Sequence, residues 1–136
     1  MIIIKKIPTA ETYPLRQAVL WPNQPISYIQ LAEDAEGIHF GLFKNKQLIS
    51  VISLFIDGES VQFRKFATHT DEQGRGYGTD LLQHTIDFAT TENIKLLWCN
   101  ARVDKTNFYK KFGFQETSKT YIKKGVKFII LEKVLH

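Results

Sequence analysis

The chain has a single cysteine, Cys99, among its 136 residues. No disulfide can form within it, and a reducing compartment, the cytoplasm, fits. No apolar run approaches the ~20 residues of a membrane-spanning helix. The opening Met1-Ile2-Ile3-Ile4-Lys5-Lys6 is too short for a secretory leader and has no cleavage site. Histidine and cysteine never fall at metal-ligand spacing, so no metal is expected. Repeats, linkers and low-complexity tracts are missing too. What is there is 43% hydrophobic and 24% charged, the balance of a globular protein. The length suits one domain, residues 1–136, and is too small for two.

The net charge of +4 is uneven, with nine Lys and Arg against three Asp and Glu from Arg102 onward. Basic residues there are not interleaved with stacking aromatics as single-strand binders require, so nucleic acid is not an expected partner. A solvated face, or one that meets the phosphates of a small molecule, is the better reading.

Turn signals and periodicity divide the chain. Ile2 to Ile7 is β-branched and reads as a first strand. Thr9 to Leu20 reads as a helix with Pro14 in its first turn. Two prolines make Trp21 to Pro25 a loop, Ile26 to Leu31 a short helical turn, and Ala32 to Gly37 an acidic loop. Strands follow at Ile38 to Phe43, Gln47 to Ile56 and Val61 to Thr68, joined by turns at Asn45 and at Asp57-Gly58. A glycine-rich loop leads into a helix ending near Thr91, with Asn93 close behind. Ile94 to Asn100 is an apolar run, the pattern of a strand buried on both faces. Lys105 to Phe112 reads as a short helix stopped by Gly113. Phe114 to Ile122 and Val126 to Val134 form a last hairpin, whose exposed edge can pair with a second copy in a homodimer. Consecutive hairpins imply antiparallel pairing, and the strand–helix–strand unit around the glycine loop implies one parallel pair.

That loop, Gln73-Gly74-Arg75-Gly76-Tyr77-Gly78-Thr79, joins a strand to the first turn of a helix. Glycines let a ligand approach the backbone, and the first turn offers unpaired N–H groups with partial positive charge. Such a place binds anions, most often phosphate. It is not a P-loop, since no lysine follows Gly78, nor a dinucleotide fingerprint, since half the chain precedes it.

The spacing Gln73-x-x-Gly76-x-Gly78 resembles the Q/R-x-x-G-x-G/A loop of the GNAT family of N-acetyltransferases. One helix and one strand later, Asn107-Phe108-Tyr109-Lys110-Lys111-Phe112-Gly113-Phe114 is similar to that family's FYxKxGF signature. The resemblance covers Val61 to Leu131 best. It implies an α/β (α+β) fold with a mixed, mostly antiparallel sheet of about seven strands, a parallel pair at strands four and five, and helices on both faces. It implies acetyl-coenzyme A as co-substrate, its pyrophosphate on the amides of the loop from Gln73 through Gly74, Arg75, Gly76, Tyr77 and Gly78 to Thr79. Main-chain groups of Phe66, Ala67 and Thr68 would pair with the pantetheine arm.

Acetyl transfer needs a neutral amine, donors for the carbonyl oxygen, and help for a departing thiolate. The resemblance gives Tyr109 the last task; the plain alternative is a tyrosine packed between Phe108 and Phe112. Asn100 either bonds the pantetheine arm or serves as a strand-end turn residue. Thr79 either caps the helix or meets phosphate, and Arg75 can reach a phosphate as a charged fork. Arg102 and Lys105 depart from the asparagine and alanine common in the family. Some members carry a glutamate base near the position of Gln62, which cannot accept a proton, so the base is unassigned among Glu33, His39, Glu59 and His69. Cys99 reads as a small core residue. For the acceptor, Arg64 suits a carboxylate, whereas the acidic loop Glu33 to Glu36 suits a polyamine or basic peptide. The reading is an N-acetyltransferase acting by direct transfer to a primary amine of a small molecule or peptide. The alternative is a non-catalytic coenzyme A- or nucleotide-binding module, which has no need of Tyr109.

Overall fold

The structure, a computed structural model, describes residues 1–136. Seven strands form one mixed sheet in the order β1-β2-β3-β4-β5-β7-β6. They are β1 (Ile2–Lys6), β2 (Ile38–Lys44), β3 (Gln47–Asp57), β4 (Ser60–Thr68), β5 (Leu96–Arg102), β6 (Gln115–Lys123) and β7 (Val126–Val134). Three helices join them: α1 (Tyr13–Leu15), α2 (Tyr77–Thr91) and α3 (Thr106–Lys110). The expected parallel pair is present, β4 running alongside β5 from Ser60↔Leu96 to Gln62↔Trp98. The chain packs as two compact units, residues 1–55 with 63–85 and residues 56–62 with 86–136.

In the first unit, β1 and β3 flank β2 in antiparallel register. Ile7, Leu15, Val51 and Ala67 form a buried cluster, joined by Val19, Leu20, Phe43 and Leu48. Ile7, Leu15 and Val51 each contribute about 1.5–3 kcal/mol by their burial. The β2–β3 turn is closed by Asn45 and Lys46, both left-handed at φ 49 and 72°, the geometry that matches strand twist in a two-residue hairpin.

The expected regular helix over Thr9 to Leu20 is instead a 3-10 turn (Thr9–Thr12), the single turn of α1, and a π turn (Arg16–Leu20). Pro14 removes one backbone donor. Arg16 then takes a side chain with no exposed surface into the core at the wide turn. In the acidic loop Ala32 to Gly37, Glu33 and Glu36 are exposed but one carboxylate is not. Asp34 is buried and grips Arg16 through both carboxylate oxygens, at 2.8 and 2.9 Å.

In the second unit, β5 and β7 pair antiparallel from Leu96↔Val134 to Arg102↔Phe128, and β6 pairs with β7 around a Lys124-Gly125 turn. Along β5, Leu97, Cys99 and Ala101 are buried while Leu96, Trp98, Asn100 and Arg102 are only half-buried. Two-sided burial of this strand is therefore corrected to alternation. An apolar run cannot distinguish a doubly covered strand from one with large residues on a partly open face. Asn93 (φ 60°) ends α2 and Gly113 (φ 91°) follows α3, both left-handed as helix-terminal residues are.

Candidate active site

The loop after β4 is shaped by its own side chains. Gln73 does not reach outward: its amide Nε2 donates to the Thr68 carbonyl at 2.9 Å, tying the loop back to the strand. His69 Nδ1 accepts from the Asp71 N–H at 3.1 Å, opening a 3-10 turn over Thr70–Glu72. Gly74 and Gly76 then take φ of 79 and 87°, and no atom lies within 4 Å of the place a Cβ would occupy at either. Gly78 sits inside α2, where a Cβ would lie 3.4 Å from Thr68 Oγ1 and 3.5 Å from Phe66. The first helical rung is Asp80 N–H to Gly76 C=O, at 3.0 Å. The amides of Tyr77, Gly78 and Thr79 precede that rung, and so present donors and the positive end of the helix dipole.

Around this open cradle stand charged groups. Glu72 faces Lys44 at 3.2 Å and Arg75 at 3.6 Å. The Lys44 ammonium also lies 5.7 Å from the centre of the Tyr77 ring. The cradle fits a multiply charged anion: backbone donors, two cations and no side chain in the way.

Upstream on β4, Lys65 has φ 54°. A left-handed non-glycine residue inside a strand marks a bulge, which re-aims the residues after it. The Ala67 carbonyl accepts from Ser50 Oγ at 3.2 Å, and Ser50 Oγ also meets Thr68 Oγ1 at 2.8 Å. Ala67 and Thr68 are thus braced from β3.

In the second unit, Tyr109 in α3 lies edge-on to Phe108 and Phe114, with ring centres 5.2 and 6.0 Å away. Burial pushes its phenol above the ordinary tyrosine range, with Cys99 adding in the same direction. The phenol is fully protonated at neutral pH and able to donate. Cys99 is itself buried, and desolvation lifts its thiol to about 12, which makes it a poor nucleophile. Asn100 is half-buried and opposite Ile130 in the β5–β7 register. Arg102 ends β5, and Lys105 lies in the short turn Val103–Lys105 before α3.

The base candidates separate. His39 is buried with both ring nitrogens engaged, Nδ1 to Ser53 Oγ at 2.7 Å and Nε2 to Thr9 Oγ1 and the Asp34 carbonyl at 3.0 Å each. His69 spends Nδ1 on its own turn. Glu59 sits at the start of β4, its carbonyl fixed by Lys95 and Leu96. It lies nine residues before Thr68 in the chain. Glu33 keeps an exposed carboxylate, 3.8 Å from Arg64 on β4.

Sequence reasoning missed Arg16. It binds Asp34, Ser53 Oγ (2.8 Å) and the Ile29 carbonyl (3.0 Å), and so ties the segment after α1 to β3. Burial works to raise the Asp34 carboxyl, but hydrogen bonds from Arg16 and the Leu31 amide outweigh it and hold the pKa below its ordinary value. The only hint in the sequence was an arginine interrupting the apolar run of Leu15, Ala18, Val19 and Leu20.

The first unit thus carries a strand–glycine loop–helix segment with unpaired amides and open space before it, and the second carries a buried, protonated tyrosine. Comparison with known proteins is specific. Residues 11–135 match the acetyltransferase (GNAT) domain model, and the chain belongs to the GNAT acetyltransferase family. It is an acyltransferase with acetyl-coenzyme A as co-substrate. The uncharacterized N-acetyltransferase YitI of Bacillus subtilis is 29% identical over 145 aligned positions, covering 99% of this chain and 97% of that one. A Lactobacillus plantarum protein of known crystal structure superposes at TM-score 0.87 with 22% identity, over 100% of this chain and 98% of the other. A GNAT acetyltransferase of Elizabethkingia anophelis, solved with acetyl-CoA bound, superposes at TM-score 0.76 with 21% identity over 98% of each chain.

Proposed function

We propose that this chain forms one acetyltransferase domain and moves the acetyl group of acetyl-coenzyme A directly to a primary amine. The observation that carries the reading is the cradle: left-handed Gly74 and Gly76 with open space above them, ahead of the unpaired first-turn amides of α2. Gly74, Arg75, Gly76, Tyr77, Gly78 and Thr79 hold the pyrophosphate, Gln73 positions their loop, and Phe66, Ala67, Thr68 and Asn100 align the pantetheine arm.

In the transfer, the amine nitrogen forms a bond to the acetyl carbon as the carbon–sulfur bond breaks. Tyr109 donates a hydrogen bond to the departing sulfur. Its raised pKa lies above the ~8.5 typical of a thiol, so the phenol stabilises the thiolate while remaining protonated. The proton that finally rests on sulfur is the one the amine sheds. A hydrogen-bond donor of this kind is worth on the order of 10²–10³ in turnover.

The family match across nearly the whole chain supports a single domain. One buried cysteine, and no helix long and apolar enough to cross a membrane, support a cytoplasmic location. The exposed edge strand β6 supports pairing with a second copy. The test is release of coenzyme A thiol from acetyl-coenzyme A across a panel of primary amines. Amine-dependent release is expected; a chain that binds coenzyme A but accepts no amine overturns the reading.

A further inference from the structure

We infer that the acceptor is a zwitterion, an α-amino acid, whose ammonium is received by Glu33 and whose carboxylate is received by Arg64. The inference rests on the acetyl-transfer reading and names its second substrate. The two residues come from different elements. Arg64 lies on β4, two positions before Phe66, with the Lys65 bulge between them. Glu33 lies on the segment between α1 and β2. Their side chains are 33% and 57% exposed, with Nη1 and Oε2 separated by 3.8 Å.

That separation is too long for a hydrogen bond, which needs ~2.7–3.2 Å between nitrogen and oxygen. Neither group therefore spends its hydrogen-bonding capacity on the other. An exposed ion pair of this kind adds only about 0–1 kcal/mol to folding, so stability gives little reason for it.

The position of Glu33 is nonetheless built with care. Its neighbour Asp34 accepts from both terminal nitrogens of Arg16 and from the Leu31 amide (2.9 Å). Arg16 also holds the Ile29 carbonyl and Ser53 of β3. Residues Ile29 to Asp34 are thus fastened at both ends to a buried charge. Buried ion pairs are often no more stabilising than apolar replacements; this one holds the backbone on either side of Glu33.

A cation and an anion 3.8 Å apart match a ligand whose opposite charges sit on one carbon. The Arg64 fork pairs with carboxylate oxygens, and Glu33 accepts from the ammonium. A diamine would bring its second cation against Arg64. An amino acid amide offers the guanidinium one neutral carbonyl acceptor in place of a charged, two-oxygen carboxylate. The two separate hints in the sequence, a carboxylate at Arg64 and a cation at Glu33, become one site.

The test uses the whole chain with acetyl-coenzyme A. Thiol release is measured for the proteinogenic α-amino acids, their α-carboxamides, and putrescine. Thermal stabilisation of the coenzyme A complex by the same compounds is measured in parallel. One or more amino acids should turn over, with kcat/KM at least about tenfold above the matching carboxamide (roughly 1.4 kcal/mol). Arg64→Met should raise KM for the acid and erase the acid-to-amide ratio, and Arg64→Lys should restore part of it. Glu33→Gln should raise KM for both acid and amide. The inference is overturned if putrescine or the amides are the better acceptors, or if Arg64→Met leaves the ratio intact. Thiol release with no compound removes the acetyl-transfer reading itself. Amino acids that then fail to stabilise the coenzyme A complex remove this inference as well.

Discussion

The Lys44 ammonium and the Glu72 carboxylate stand 3.2 Å apart, and Arg75 approaches the same carboxylate at 3.6 Å. Glu72 thereby holds, in the free protein, both cations that border the glycine loop. An incoming phosphate must compete with it. Glu72→Gln is expected to tighten coenzyme A binding about three- to tenfold, the scale of one partly screened charge, and Lys44→Met to weaken it similarly. Calorimetry at low and moderate salt checks both; weaker binding by Glu72→Gln would refute the competition.

Coenzyme A at about a hundredfold excess over its Kd should stabilise the fold by roughly 2.7 kcal/mol. Gly76→Val should abolish that response, because a branched side chain at φ 87° fills the open space of the cradle. Gly58→Val is the control. It has a similar φ of 62° and similar empty surroundings, but lies in the β3–β4 turn. It should lower the melting temperature yet keep the full coenzyme A response. Equal loss in both variants would mean that backbone strain, not a blocked site, is being read.

Tyr109→Phe keeps the ring against Phe108 and Phe114 and removes one hydroxyl. Turnover should fall roughly a hundred- to a thousandfold with coenzyme A affinity nearly unchanged. A purely structural hydroxyl would show instead as about 1 kcal/mol of lost stability. Since burial keeps the phenol protonated well past neutrality, the wild-type rate should not decline through pH 8 to 9 from its ionisation. A falling limb in that range that disappears in Tyr109→Phe would contradict the assigned state.

Asp34 has a folded-state pKa below its unfolded value. Its contribution to stability is therefore fully present above about pH 4, the ordinary aspartate value, and is lost as pH falls through the depressed folded value. Asp34→Asn should cost about 3–5 kcal/mol by leaving Arg16 buried without its counter-charge. Acid unfolding followed by circular dichroism should lose its steepest component in that variant. An unchanged acid midpoint would show that the pair is not what titrates.

The strands and their succession along the chain were legible because each boundary carries a local cause. Asn45-Lys46, Asp57-Gly58 and Lys124-Gly125 mark hairpins, and the glycine loop marks the crossover. The cradle was legible for the same reason: a glycine advertises its backbone geometry. The part that stayed hidden depends on distance along the chain. Arg16 finds Asp34 18 residues away and Ser53 37 away, and no local pattern encodes such a meeting. The left-handed Lys65 was equally silent, since lysine gives no hint of a bulge. Gln73 shows a subtler limit: its place in the motif was visible, but its inward bond to Thr68 was not.

Cys99, the lone cysteine, sits on the buried face of β5 with a thiol that stays protonated at neutral pH. A thiol reagent added to the folded protein thus meets no competitor for the coenzyme A released in turnover. Label appears on the chain only when the strand opens. The same atom that is chemically silent during catalysis becomes a clock for breathing of the second unit, and slower labelling on adding coenzyme A would measure how strongly ligand binding is felt there.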